Sequence, residues 1–401
     1  MAALLLSCVG AAADDDPADT PDEGLALPTT TTNFGGASPL ATSRTVRHWS
    51  GQTTNPVDGV TYRYNMVGAD PSTDGSAVIG VDIVPLDVNV GGQSFAASGS
   101  AAALVASPIF QNGNYSSTAA ATKANSTRGA GGQLSSGNDG VQLLDATMRA
   151  QFNKVGTDYH LVLDTPVVHD AVTINVPDDQ GTTLTSPGGI TYGDVAAHWF
   201  ATRVQNQLGR LAYLDPTRLA LFVTYDVVLF NGDDPMATCC VIGAHGAGPA
   251  TGQTNGPGHG NGNQPVQTYV WSSWLTAGFF GNKSNWAKRD IHGLSHEIVE
   301  WANDPFVDNT VQGWSWANAC NYELETGDPV VGIGWAQGAN TFDQNKYSDG
   351  AYHPEDEVFV PWFMRSTPET QPSQHGSAIG RYTFMGDLNP FAIFHQPAAG
   401  C

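Results

Sequence analysis

The sequence is short of charge, and shortest of bases. Only 13% of its 401 residues are charged, and 16 Lys and Arg face 38 Asp and Glu, a formal net charge of −22. A surface of that sign repels phosphate backbones, which argues against nucleic acid as a partner. No apolar run approaches the roughly 20 residues that a membrane-spanning helix needs. There is no G-x-S-x-G stretch, so the strand-to-helix elbow of a serine hydrolase is missing. No C-x-x-C spacing occurs either, which speaks against a zinc–thiolate site. Cysteine itself is scarce: beyond Cys8 there are only Cys239, Cys240, Cys320 and Cys401. In an exported chain those four permit disulfides in three connectivities, with the adjacent Cys239 and Cys240 expected to bond to separate partners.

Glycine (46) and proline (24) are plentiful instead, and both weaken helix interiors, so much β structure and many turns are expected. The chain is long enough for a large core and for two or three domains. Near its start, Leu4-Leu5-Leu6-Ser7-Cys8 resembles a bacterial lipobox, which implies export and a lipid anchor through Cys8. The Thr-, Pro- and Asp-rich stretch that follows has the composition of a disordered tether. Residues 1–33 are therefore read as a truncated signal or lipobox with an acidic tether. Residues 34–140 form a β-rich N-terminal part, and 141–401 the domain that carries the chemistry. The expected location is extracellular or on the outer cell surface.

Apolar runs at 62–67 and 77–90 predict strands on either side of a turn at 70–75. Residues 96–140 show little periodicity and are expected to be mostly loop. Helical spacing marks 141–155, with Leu144, Met148, Phe152 and Val155 on one stripe, and again 194–211. Strands are predicted at 159–163, 167–176, 219–230, 239–244 and 268–274. Between the last two, 246–265 is crowded with Gly, Asn and Pro and reads as a long irregular loop. A helix over about 289–302 follows, ended by Asn303-Asp304-Pro305, because a residue before proline avoids the helical region. This order fits an α+β fold.

The chemistry gathers on that helix, in Ser295-His296-Glu297-Ile298-Val299-Glu300. Positions four apart share a helix face, so His296 and Glu300 project together and can hold one metal ion. Glu297, offset round the helix, is placed to take a proton from water at that ion. This is the logic of the His-Glu-x-x-His helix of zinc peptidases, with Glu in place of the second His. Carboxylate oxygen suits Zn2+ but also harder divalent ions such as Mn or Ca. His292 extends the stripe one turn earlier and Asp304 adds an acid at the helix end. The downstream Glu323-Leu324-Glu325-Thr326-Gly327-Asp328 can fold back to supply a third ligand, either Glu325 or Asp328. Local bases are too few to neutralise these acids, and clustered acids beside a His are costly unless a cation compensates.

With the Asn303-Asp304-Pro305 that follows it, the motif helix resembles an uncharacterised family of exported bacterial proteins. Leu324 to Asp328, Cys239-Cys240-Val241-Ile242-Gly243 and the stretch from Tyr352 to Phe359 look like further segments of that family. More distantly, the pattern is similar to plant EXORDIUM-like (phosphate-induced) secreted proteins, with His296, Glu297, Glu300, Glu325 and Asp328 at the matching positions. The resemblance implies a zincin-like domain with a mixed β-sheet. It also implies a secreted or surface-anchored zinc metallopeptidase-like hydrolase, acting on a peptide or a cell-surface polymer. The plant pattern has no His at the place of His292, which implies support for the ligands rather than ligation.

In that reading His296, Glu300 and Glu325 or Asp328 hold Zn2+ or another divalent ion, and Glu297 is the general base. Tyr352 and His353 are candidates for steadying the oxyanion. His245 and His259 border the Gly-rich loop, where an isolated His is more often structural or exposed. Trp314, Trp316 and Trp335 could line a groove, although core is the commoner fate of Trp. The alternative function is a non-catalytic, metal-stabilised extracellular binding or adhesion protein. A glycosidase is disfavoured, because Glu297 and Glu300 sit too close together to flank a sugar bond.

Overall fold

The computed structural model describes residues 3–5, 43–113, 115, 140–154, 156–232, 239–250, 265–281, 289–316, 319–366 and 382–384. It is a mixed α+β structure built on one large sheet. Eight strands form the sheet's main path: β1 (Val81–Val90), β2 (Val172–Asn175), β3 (Gly181–Thr185), β4 (Thr191–Ala196), β5 (Leu219–Tyr225), β6 (Val227–Phe230), β7 (Cys239–Pro249) and β8 (Pro265–Trp274). Their spatial order is β2-β1-β5-β8-β7-β6-β4-β3. The strands β2, β1, β5 and β8 run parallel, as do β6 and β4. Antiparallel pairing joins β8 to β7, β7 to β6 and β4 to β3.

The sheet is covered on both faces, and alternation along a strand sorts its side chains. From β5, Leu219, Leu221 and Val223 join one apolar cluster, while Ala220 and Phe222 join the other. The first cluster takes in the helices α1 (Ser98–Val105), α2 (Leu143–Gln151) and α4 (His292–Asn303). The second takes in Phe200, Ala201, Val204 and Leu208 from α3 (Ala197–Arg210). Two hairpin-like pairs, His48–Thr54 with Thr61–Val67 and Thr310–Trp316 with Ala319–Glu323, add to the layer that holds α4.

Several expectations need correction. The helix expected from 194 begins at Ala197, because Thr191–Ala196 pairs as a strand with both β6 and β3, which leaves Asp194 buried on β4. Residues 219–230 make two strands, broken at Asp226 (φ 48°), whose carboxylate accepts from Thr276 N at 2.8 Å and Thr276 Oγ1 at 2.6 Å. The region expected as loop after 96 contains α1, whose Ala-rich sequence favours helix while offering little periodicity. The Gly-rich tract after 245 continues β7 through Pro249, paired to β8 residue by residue, and 251–264 lie outside the described residues.

The expected boundary near residue 140 does not separate one sheet from another: β1 lies beside β5 at the heart of a single sheet. Ala3–Leu5, within the expected signal or lipobox segment, pair antiparallel with β7, whereas Cys8 and the acidic stretch after it lie outside the described residues. Cys239 and Cys240 are disulfide-bonded to each other across a cis peptide bond, so the expectation of separate partners fails. Side chains of neighbouring strand residues ordinarily point to opposite faces, and here they meet. Cys320 is also disulfide-bonded.

Candidate metal centre

All twelve residues of α4 are buried, polar ones included. Leu294, Ile298, Val299, Trp301 and Ala302 turn to the core. Two glycines let the helix sit close on the sheet. A Cβ at Gly293 would stand 3.1 Å from Ile242 Cδ1 and from Ser272 Oγ, and one at Gly243 would stand 2.6 Å from Glu297 Cγ. The helix stops where expected, at Asp304 before Pro305. Asp304 does not reach toward a metal group; its carboxylate caps the turn beyond, accepting from Asp308 N at 3.0 Å and Asn309 N at 3.2 Å.

His296 and Glu300 come together as the four-residue spacing demands, with Nε2 and Oε2 3.1 Å apart. The stretch after Glu323 folds back over the helix. Gly327 N donates to Glu300 Oε1 at 2.9 Å and Asp328 N at 3.4 Å, while Asp328 Oδ1 reaches within 3.8 Å of His296 Nε2. Glu300 thus divides its work: one oxygen is fixed by backbone amides and the other is turned inward. Gly327 is required at this crossing, since a Cβ there would stand 2.2 Å from His296 Nδ1. His296, Glu300 and Asp328 place one ligand atom each within 4.8 Å of one another. Glu325 is buried beside Glu300 and Asp328, with neither oxygen hydrogen-bonded, but it is not a member of that group.

Residues that the spacing alone did not bring forward complete the centre. His245, on β7, points Nδ1 at Glu297 Oε2 (3.1 Å) and at Glu300 Oε2 (3.5 Å). Glu355 sets Oε2 2.8 Å from His292 Nε2 and 3.3 Å from His296 Nδ1. Its segment is tied to the helix by Ser295 Oγ, which accepts from Glu355 N at 2.9 Å and donates to the His292 carbonyl at 2.8 Å. His292 therefore stands behind His296 through a shared carboxylate. Tyr352 and His353 are engaged elsewhere. The Tyr352 hydroxyl donates to the Ala103 carbonyl, and His353 pairs with Asp290 at 2.7 Å and with Asp349 at 3.1 Å. Trp314 and Trp335 are fully buried core; the side chain of Trp316 lies outside the described residues.

The electrostatics are strained in one direction. Around His296 are six buried carboxyl groups, those of Glu297, Glu300, Glu325, Asp328, Glu355 and Glu357, against the three imidazoles of His245, His292 and His296. Burial opposes a charge on His296, but the carboxylates of Glu300 and Glu355 outweigh it and lift its pKa well above the ordinary value. Burial likewise opposes ionisation of Glu300, which His296 nevertheless holds below the usual range. Glu325 and Asp328 are pushed well above it by burial and by the charge of Glu300, and Glu357 chiefly by burial. Burial lowers His245 to about 4, which leaves that imidazole neutral, with a lone pair, at neutral pH.

The donor set fits a divalent cation. Both ring nitrogens of His296, Glu300 Oε2, Asp328 Oδ1 and Glu355 Oε2 are buried and lack a well-directed hydrogen bond among the described residues; what they have instead is ion-pair contacts within 4 Å of one another. Buried polar atoms rarely stay unbonded, because each costs about 1–3 kcal/mol. Two ligand atoms about 2.0–2.1 Å from a tetrahedral ion lie about 3.3 Å apart. The 3.1 and 3.8 Å separations at His296 Nε2 bracket that value. Comparison with protein-family models, with curated proteins and with solved structures finds no match to this chain.

Proposed function

We propose that this chain is a metal-dependent hydrolase with a zincin-like, peptidase-type centre, in which His296, Glu300 and Asp328 hold a divalent cation, Zn2+ in the first instance. One observation carries the reading: His296, Glu300 and Asp328 converge buried ligand atoms within 4.8 Å of one another, next to the carboxylate of Glu297. A helix bearing the motif and packed on β7 and β8 is the arrangement that supports the zincin-like assignment. The ion's contribution is to acidify a water and polarise a carbonyl. Glu297 is the residue placed to accept the proton and pass it to the leaving amine, and His245 orients it through the 3.1 Å contact. Glu355 and His292 hold the ring of His296 from behind. The substrate class is a peptide or a cell-surface polymer met outside the cell. Export with lipid anchoring through Cys8 rests on the lipobox-like start. No helix among the described residues is long and apolar enough to cross a membrane.

A second reading, a metal-stabilised binding or adhesion protein without turnover, is favoured by burial. His296, Glu297 and Glu300 are fully shielded and Asp328 is 4% exposed. The experiment that separates the two is Glu297→Gln. In a hydrolase it abolishes casein cleavage while the ion at His296 is retained by elemental analysis; in a binding protein the wild type cleaves nothing with or without chelator. Metal-free wild type after equilibration with Zn2+ at neutral pH defeats both.

A further inference from the structure

The buried ligand residues around α4 fall into two groups. One is His296, Glu300 and Asp328; the other is His245, Glu297 and Glu300, each with its atoms within 4.8 Å of one another. Only Glu300 belongs to both, and its Oε2 lies 3.1 Å from His296 Nε2 on one side and 3.5 Å from His245 Nδ1 on the other.

We propose that the centre holds two divalent cations, the second bound by His245 Nδ1, Glu297 Oε2 and Glu300, with Glu300 Oε2 bridging the pair. The inference rests on the metal-centre reading above and changes the role of Glu297 in it. The separations in the second group, 3.1 Å from His245 Nδ1 to Glu297 Oε2 and 3.5 Å to Glu300 Oε2, again straddle the roughly 3.3 Å expected between neighbours on one small ion. A hydrogen bond between His245 and Glu297 accounts for the first of these distances. It does not account for the second, nor for a fully buried Glu300 Oε2 that is aimed at two imidazoles at once and has no well-directed hydrogen bond among the described residues.

The anchoring supports bridging. Glu300 Oε1 is already spent on the amides of Gly327 and Asp328, which fixes the carboxylate plane and leaves Oε2 the one oxygen free to serve both ions. Paired catalytic ions sit about 3.5–4 Å apart, a spacing that a single shared carboxylate oxygen can span. The second group offers two oxygens and one nitrogen, a donor set that takes Zn2+ and Mn2+ alike.

The test uses the full chain, stripped with chelator and refilled with Zn2+ or with Mn2+, and reads stoichiometry and magnetism rather than activity. Wild type is expected to bind two Zn2+ per chain by elemental analysis, and His245→Ala one. With Mn2+, wild type is expected to give the spectrum of a spin-coupled pair, and His245→Ala the six-line spectrum of an isolated ion. The wild-type Mn2+ spectrum decides the question even if the variant does not fold. One ion per chain with an uncoupled spectrum in wild type overturns the second site and leaves the single-ion centre standing. No bound ion overturns both.

Discussion

Replacing Gly327 by alanine isolates one contact of the centre. The backbone there is ordinary for any residue, φ −86° and ψ −35°, so conformation alone favours alanine by about 0.4–1 kcal/mol. The added methyl, however, lands 2.2 Å from His296 Nδ1, 2.5 Å from Cε1 and 2.7 Å from Cγ. All three are inside any real contact, and they belong to a ring that is fully buried on a fully buried helix. Relief requires moving the ring or the 325–328 turn, and overpacking of this kind costs about 1–3 kcal/mol. The expected net loss is on the order of 1–2 kcal/mol, a fall of about 1–3 °C in Tm for a chain of this size, read by thermal unfolding of the metal-free protein. If the ring yields instead, the cost moves to the ion: each 1.4 kcal/mol is about a tenfold weakening of Zn2+ affinity by competition titration. Gly209→Ala, in α3 with nothing within 4 Å of its Cβ, is the control and should be neutral or slightly stabilising. A Gly327→Ala protein matching wild type in both Tm and Zn2+ affinity refutes the crossing of the turn over His296.

Ser295→Ala removes the acceptor for Glu355 N and should destabilise by about 1–3 kcal/mol by denaturant titration, because a buried donor is left unbonded; a change within about 0.5 kcal/mol would count against that tie. Chelator should lower the Tm of wild type, by the equivalent of about 2.7 kcal/mol if the ion is present at a hundred times its Kd, and should leave His296→Ala unmoved. Equal shifts in both proteins would show that the ion sits elsewhere. Away from the centre, burial lifts Asp194 to about 8, with neither oxygen hydrogen-bonded among the described residues. A carboxyl group raised in the folded state favours folding below its unfolded pKa, and that contribution is lost as pH rises through the folded value. Stability should therefore fall from about pH 4 to pH 8, by up to about 1.4 kcal/mol per pH unit, and Asp194→Asn should flatten the curve. Parallel pH curves for the two proteins would refute the assignment.

The motif helix was legible because its signal is local. Spacing four along a helix fixes His296 against Glu300, and proline fixes the end, whatever the rest of the chain does. His245 was not legible, because the glycines after it have a loop's composition. Here Gly243 and Gly246 are strand positions pressed against Glu297 and Tyr269, and small size rather than flexibility is what they supply. Glu355 and the choice of Asp328 over Glu325 in the ligand group depend on how two downstream segments fold back, which no period in the sequence encodes. Strand breaks at Gly80, between the strand Ser76–Ile79 and β1, and at Asp226 were hidden inside continuous apolar runs. A buried parallel strand and two shorter ones in succession read alike there.

The two ligand groups draw on β7, on α4 and on the turn at 327–328, with the 355 segment behind them, stretches up to about 110 residues apart in the chain. Contacts that distant form late, after loop closure has been met elsewhere. A cation captured here is therefore a reporter of completed assembly: a truncated or half-folded chain would carry the motif and still fail to retain metal.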